Sequence, residues 1–170
     1  MNLLLIGNSI SLVGAIIMVL IGLIKERKNI LLAQSVQFLV MGIGNLVLGG
    51  ITGFVSNVLG IIRNLYCLKY KLPLAAALGF VAVQAAITLG VNNMGWLGWL
   101  PVAAALAFTL SINTKNEIIL KLVIIFGQVC WTLYDLATKN YTAMALDLFT
   151  IVTTVWGIVM IRMGKKAKAD

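Results

Sequence analysis

The sequence predicts an all-α membrane protein: seven transmembrane helices in a 3+1+3 parallel-repeat bundle, amino terminus outside and carboxyl terminus inside. Three observations lead there. Of 170 residues, 61% are hydrophobic and only 11% charged, and the mean hydropathy is +1.04, which lies outside the range of soluble domains. The apolar runs are each about 17 to 23 residues long, the length an α-helix needs to cross about 30 Å of hydrocarbon, and the alternating pattern of a membrane β-barrel is absent. Lys and Arg gather at every second loop, as the positive-inside rule requires.

The expected spans are about 3–24, 30–48, 52–70, 74–90, 96–112, 118–138 and 141–163. The first is a retained helix rather than a removable signal peptide: it lacks a basic leading region and runs into a charged loop without a small-residue cleavage site. Between the second and third stand only Leu48, Gly49, Gly50 and Ile51, and the paired glycines make a tight turn that divides one long apolar block into a hairpin. Pro73 starts the fourth span, and Pro101 is expected to kink the fifth by removing a backbone hydrogen bond, a candidate gate hinge.

The basic residues test this count. Lys25, Arg27 and Lys28 follow the first span, Arg63, Lys69 and Lys71 end the third, Lys115 and Lys121 bracket the start of the sixth, and Arg162, Lys165, Lys166 and Lys168 follow the seventh. That places 12 of the 13 on one side, with Lys139 alone opposite. A count of six or eight spans would scatter them. The net charge of +8 is thereby explained by orientation, which argues for an anionic lipid surface as partner and against nucleic acid.

The organisation is a single membrane domain: a first repeat at about 3–70, a linker helix at about 74–90, a second repeat at about 96–163 and a basic tail at 164–170. Gln34 and Gln128 take matching places near the inner parts of the second and sixth spans, and Arg63 and Arg162 close the spans that follow. Parallel repeats of this kind occur in transporters. Arg63 and Arg162 either snorkel to the surface or serve as a cytoplasmic gate or anion contact. Cys67 and Cys130 fall inside spans and histidine is missing, so neither metal nor thiol chemistry has its ligands and no cofactor is expected.

Polar residues form helical stripes. Gln34, Gln37, Met41 and Asn45 share a face of the second span, and Gly53, Asn57, Gly60 and Asn64 a face of the third. Gln128, Trp131, Asp135 and Thr138 do so on the sixth, and Asp147, Thr150, Thr154 and Gly157 on the seventh. Four stripes, two per half, either converge on a cavity or join the helices by interhelical hydrogen bonds, each worth about 0.6 kcal/mol. The acids weigh differently. Asp135 and Asp147 are the two of the five acids that lie within spans, where a carboxylate costs about 2.5 to 3.5 kcal/mol to insert and normally faces a bundle interior or a cavity. Asp135 has Lys139 one turn away as a structural partner, whereas Asp147 has no basic residue at that spacing. Trp131 and Tyr134 either pack or wall a pocket for a planar or cationic solute, and Trp96, Trp99 and Tyr141 read as an interfacial belt.

The stretch Gly53-Phe54-Val55-Ser56-Asn57-Val58-Leu59-Gly60-Ile61-Ile62-Arg63, the Leu100-Pro101-Val102 opening of the fifth span, and Cys130-Trp131 followed by Tyr134-Asp135 resemble the YgjV-type (Imp-YgjV) bacterial inner-membrane proteins. The resemblance implies a multi-pass protein of the bacterial inner membrane. Such proteins are similar to SWEET, PQ-loop and nicotinamide-riboside (PnuC-type) transporters, which implies two three-helix bundles around a solute path. A Pro-Gln dipeptide is missing here, and the first span has no proline.

The expected function is transport of a small polar or cationic solute by alternating access, with proton coupling through Asp147 or Asp135. The candidate binding residues are Asp147, Asp135, Trp131, Tyr134, Gln128, Asn57, Gln34, Gln37 and Asn45. A membrane receptor or assembly protein that does not transport is the alternative. An enzyme is not expected, because no nucleophile, base and metal stand together. The bilayer and an unidentified solute are the partners, and self-association is open.

Overall fold

A computed structural model describes residues 2–21, 24, 26–111, 114 and 116–166. Lys25, Lys115 and Lys168, counted in the charge argument, lie outside the described residues, as do the end of the fifth expected span and the last part of the basic tail. Seven helices follow in order: α1 (Leu3–Ile21), α2 (Arg27–Val47), α3 (Ile51–Cys67), α4 (Leu74–Val91), α5 (Leu100–Leu110), α6 (Glu117–Thr138) and α7 (Tyr141–Lys166). There is no strand among the described residues. Five helices are long and apolar enough to cross a membrane, namely α1, α2, α4, α6 and α7, while α3 and α5 are shorter.

The fifth span departs from expectation. A 3-10 turn, Gly95–Trp99, comes first, and α5 begins only at Leu100. Pro101 stands in the first turn of α5, where its missing N–H has no intrahelical partner to lose. It therefore opens the helix instead of kinking its interior.

Two turns organise the bundle, and their backbone bonding is the same. Gly49 takes a left-handed φ of 81°, Gly49 N–H donates to Leu46 O (3.1 Å) and Gly50 N–H to Asn45 O (2.7 Å). At the end of α6, Lys139 takes a left-handed φ of 60°, with Lys139 N–H on Leu136 O (3.2 Å) and Asn140 N–H on Asp135 O (2.8 Å). Both are Schellman stops, which satisfy carbonyls that a helix end leaves open. Glycine holds that conformation without steric penalty, and Lys139 holds it with one.

Within the bundle α1 packs on α2 and α2 on α3, while α5 packs on α6 and α6 on α7. Helix α4 touches α3 and α5, and α1 closes on α7. Burial is inverted relative to a soluble protein. Leucine, isoleucine and valine dominate the exposed surface, whereas Ser11, Asn45, Thr52, Asn64, Thr88, Asp135, Thr138 and Asn140 are buried. Hydrocarbon accepts the large apolar side chains, and polar and small residues fill helix seams. Trp96 and Tyr141 are exposed at the end of the bundle that holds the two turns. That end is called the turn end here, and its opposite, carrying Arg63, Lys69, Lys71, Lys121 and Arg162, the basic end.

Candidate functional site

The site sits at the seam of α6 and α7. Asp135 lies three residues before Thr138 and Asp147 six after Tyr141, about 4.5 and 9 Å along their axes from the turn. Side chains on a helix lean toward its amino terminus. Because α6 runs into the turn and α7 out of it, Asp135 leans away from the turn end and Asp147 toward it, and the axial offset closes. The two carboxyl groups thus come close enough across the seam to interact. Asp135 is only 2% exposed. It forms no ion pair with Lys139, the partner that the i,i+4 spacing offers, because Lys139 has left the helical path and lies at the surface.

Polar atoms without a hydrogen-bond partner concentrate here. Of six such buried side-chain atoms among the described residues, four are Gln128 Oε1, Thr132 Oγ1, Asp135 Oδ1 and Asp147 Oδ2. Positions 128, 132 and 135 recur at helical spacing, so they form one line over about 10 Å of α6, and Asp147 joins its end from α7. Thr132 was not expected from the stripe pattern, which places Trp131 on that face.

A hydrogen-bonded layer covers the pair at the turn end. Tyr134 is fully buried, and its hydroxyl accepts from Gly53 N–H at 2.7 Å and from Thr52 Oγ1 at 3.1 Å. A Cβ added at Gly53 would lie 2.6 Å from the Tyr134 ring, so the glycine is what lets the phenol reach α3. Asn140 Nδ2 donates to Asn45 Oδ1 at 3.0 Å. Asn8 of α1 donates to Lys139 O at 2.9 Å and accepts from Thr142 N–H at 3.1 Å. These contacts join α1, α2 and α3 to the α6–α7 turn. Asn140, Asn8 and Thr52 were not singled out by the sequence stripes, whereas Thr138 was. Asn140 just before an apolar run carries a readable helix-cap signal, and Ala143 N–H does donate to its Oδ1 at 3.4 Å.

The remaining expected residues divide. Trp131 packs edge-on against Tyr134 of the same helix, centroids 5.7 Å apart at 87°, and Tyr134 itself is fully buried. Asn57 donates to Gly53 O of its own helix at 2.9 Å, and Asn64 lies 3.5 Å from Gln34 Oε1 toward the basic end. Gln37 is buried in α2. Arg63 lies partly buried near the end of α3, away from the acids, and Pro101 is buried at the start of α5. Counted from the two Schellman turns, Gln128 corresponds to Phe38 and not to Gln34, so the expected match of the two glutamines fails.

Two cavities lie along α7. One cavity of about 280 Å³ lies between α1 and α7, lined by Leu12, Ile16, Val19 and Leu146 among others. A second, of about 450 Å³, opens between α6 and α7 at the basic end, against Glu117, Leu120, Lys121, Ile124, Gly157 and Ile161. Neither is lined by Asp135 or Asp147. Asp135 is buried between α6 and α7 below the hydrogen-bonded layer, and Asp147 is half-buried. No cluster of three metal-ligating side chains occurs among the described residues.

The profile of the Imp-YgjV family, described as bacterial inner membrane protein, matches residues 5–166. The chain belongs to that family and is a multi-pass protein of the bacterial inner membrane. No curated protein and no solved structure matches it, so the similarity to SWEET, PQ-loop and PnuC-type transporters has no support.

Proposed function

We propose that this bacterial inner membrane protein transports a small polar or cationic solute by alternating access, with the α6–α7 carboxyl pair binding the solute's positive charge or the coupling proton. The single observation that carries the reading is the line of unpartnered atoms, Gln128, Thr132, Asp135 and Asp147. Side chains that merely join helices end with their polar atoms bonded to one another. These do not, and an ionisable residue at such depth is by default functional.

The chemistry follows from the atoms. Two carboxyl groups in contact form a hydrogen bond only when one holds a proton, because two carboxylates repel. Displacing that proton with an ammonium group exchanges one positive charge for another and keeps the net charge of the occupied seam, whereas releasing the proton alone makes the seam more negative by one. The contacts of Asn8, Asn45, Tyr134 and Asn140 close the turn end in this conformation, so release to that side requires the first three helices to part from α6 and α7. In this reading a 3+1+3 plan with seven crossings supplies the two units, and the basic-residue bias supports a turn end that faces outside.

The test is flux in proteoliposomes. A panel of small amines, zwitterions and sugars is offered across an imposed pH gradient. At least one should accumulate in a manner abolished by a protonophore and absent from Asp147→Asn vesicles. Saturable binding without flux would replace this reading with the receptor one.

A further inference from the structure

We infer that the groove between α6 and α7 at the basic end holds the phosphate headgroup of an anionic phospholipid, with Lys121 as its cation. This site is separate from the carboxyl pair and independent of the transport reading. The groove, about 450 Å³, is walled by Leu120, Ile124 and Ile161 and contains the side chains of Lys121 and Glu117. Lys121 reaches across from α6 to lie on Gly157 of α7: a Cβ there would meet the ammonium nitrogen at 2.7 Å. Glycine at 157 thus makes the seat.

Among the described residues the ammonium is uncompensated. Glu117 stands one turn earlier on the same helix, yet no ion pair or hydrogen bond from Lys121 occurs among the described residues. A lone cation one turn into a membrane helix, beside three aliphatic side chains that continue toward the bilayer, matches an amphiphile and not a soluble ion. The phosphate meets the ammonium, and an acyl chain follows Ile124 and Ile161. Basic pockets between transmembrane helices bind anionic headgroups in this way. The exposed Glu117 at the mouth suits the hydroxyls of a glycerol headgroup as donors.

Native mass spectrometry of the full chain in detergent, with phosphatidylglycerol and phosphatidylcholine added in equal amounts, tests this. The parent should retain one phosphatidylglycerol with about a fivefold preference, the factor that one basic residue contributes at an anionic surface. Lys121→Gln and Gly157→Ala should each lose that preference, the second by displacing the ammonium without removing it, while Lys71→Gln on an exposed loop keeps it. Equal preference in Lys121→Gln and the parent overturns the site, as does a loss in Lys71→Gln as large as that in Lys121→Gln. Displacement of the lipid by an equal concentration of inorganic phosphate would show an ion site in place of a lipid site, and overturns the inference too.

Discussion

The two hairpins of this molecule, α2–α3 and α6–α7, turn on the same pair of backbone hydrogen bonds and differ in what they bury at equivalent depth. Counted from those turns, Asn45 and Asn57 stand where Asp135 and Asp147 stand, each pair 12 residues apart. Asn45 accepts from Asn140 and Asn57 donates to Gly53 O, whereas each acid keeps an oxygen without a partner. The reason is elementary. An amide both donates and accepts, and so completes itself within a helix seam. A carboxylate only accepts, and helices in hydrocarbon have already committed their backbone donors. The equivalent positions are therefore hydrogen-bonded in the first hairpin, Asn57 within its own helix and Asn45 to Asn140, and stay chemically open in the second.

Making the second hairpin a copy of the first should break the difference. Asp135→Asn and Asp147→Asn should each abolish flux, at least about tenfold, the range of one lost charge-assisted contact, while the unfolding midpoint in mild detergent stays level or rises. The reverse change, Asn57→Asp, places a carboxylate at depth and should destabilise by about 3 kcal/mol, read from the same unfolding curves. Tyr134→Phe leaves Thr52 Oγ1 and Gly53 N–H without their acceptor, a loss of about 2 kcal/mol, and should loosen the turn end to proteolysis in parallel. Smallest is Thr132→Val. Its hydroxyl has no partner to lose, so stability should move by less than about 0.5 kcal/mol, against about 0.6 kcal/mol or more for Asn45→Leu.

Much of the fold was legible because bilayer thickness dictates span length and because Gly49 and Gly50 announce their turn. The second turn was less so: Lys139 adopts a conformation that glycine usually holds, and nothing in its side chain advertises that. The start of α5 was misplaced because Pro101 reads equally well as an interior kink or a first-turn residue, and only the 3-10 turn before it decides. Each acid could be found singly, as a charge inside an apolar run. Their contact could not, since it depends on the opposite lean of side chains on two antiparallel helices. Asn8 was missed because its partners, Lys139 O and Thr142, lie more than 130 residues away in sequence, and no local period encodes such a pairing.

Dicyclohexylcarbodiimide, an apolar reagent that adds to carboxylic acids holding a proton, tests the central claim without knowledge of the solute. The protein is treated in bilayers and its adducts are mapped by mass spectrometry. A carboxyl pair that shares a proton and exchanges it predicts an adduct on Asp135 or Asp147, none on the exposed Glu26 and Glu117, and loss of the adduct in the doubly amidated variant. If both aspartates stay unmodified under conditions that leave the fold intact, they are sealed joints, and the contrast between the two hairpins has no functional meaning.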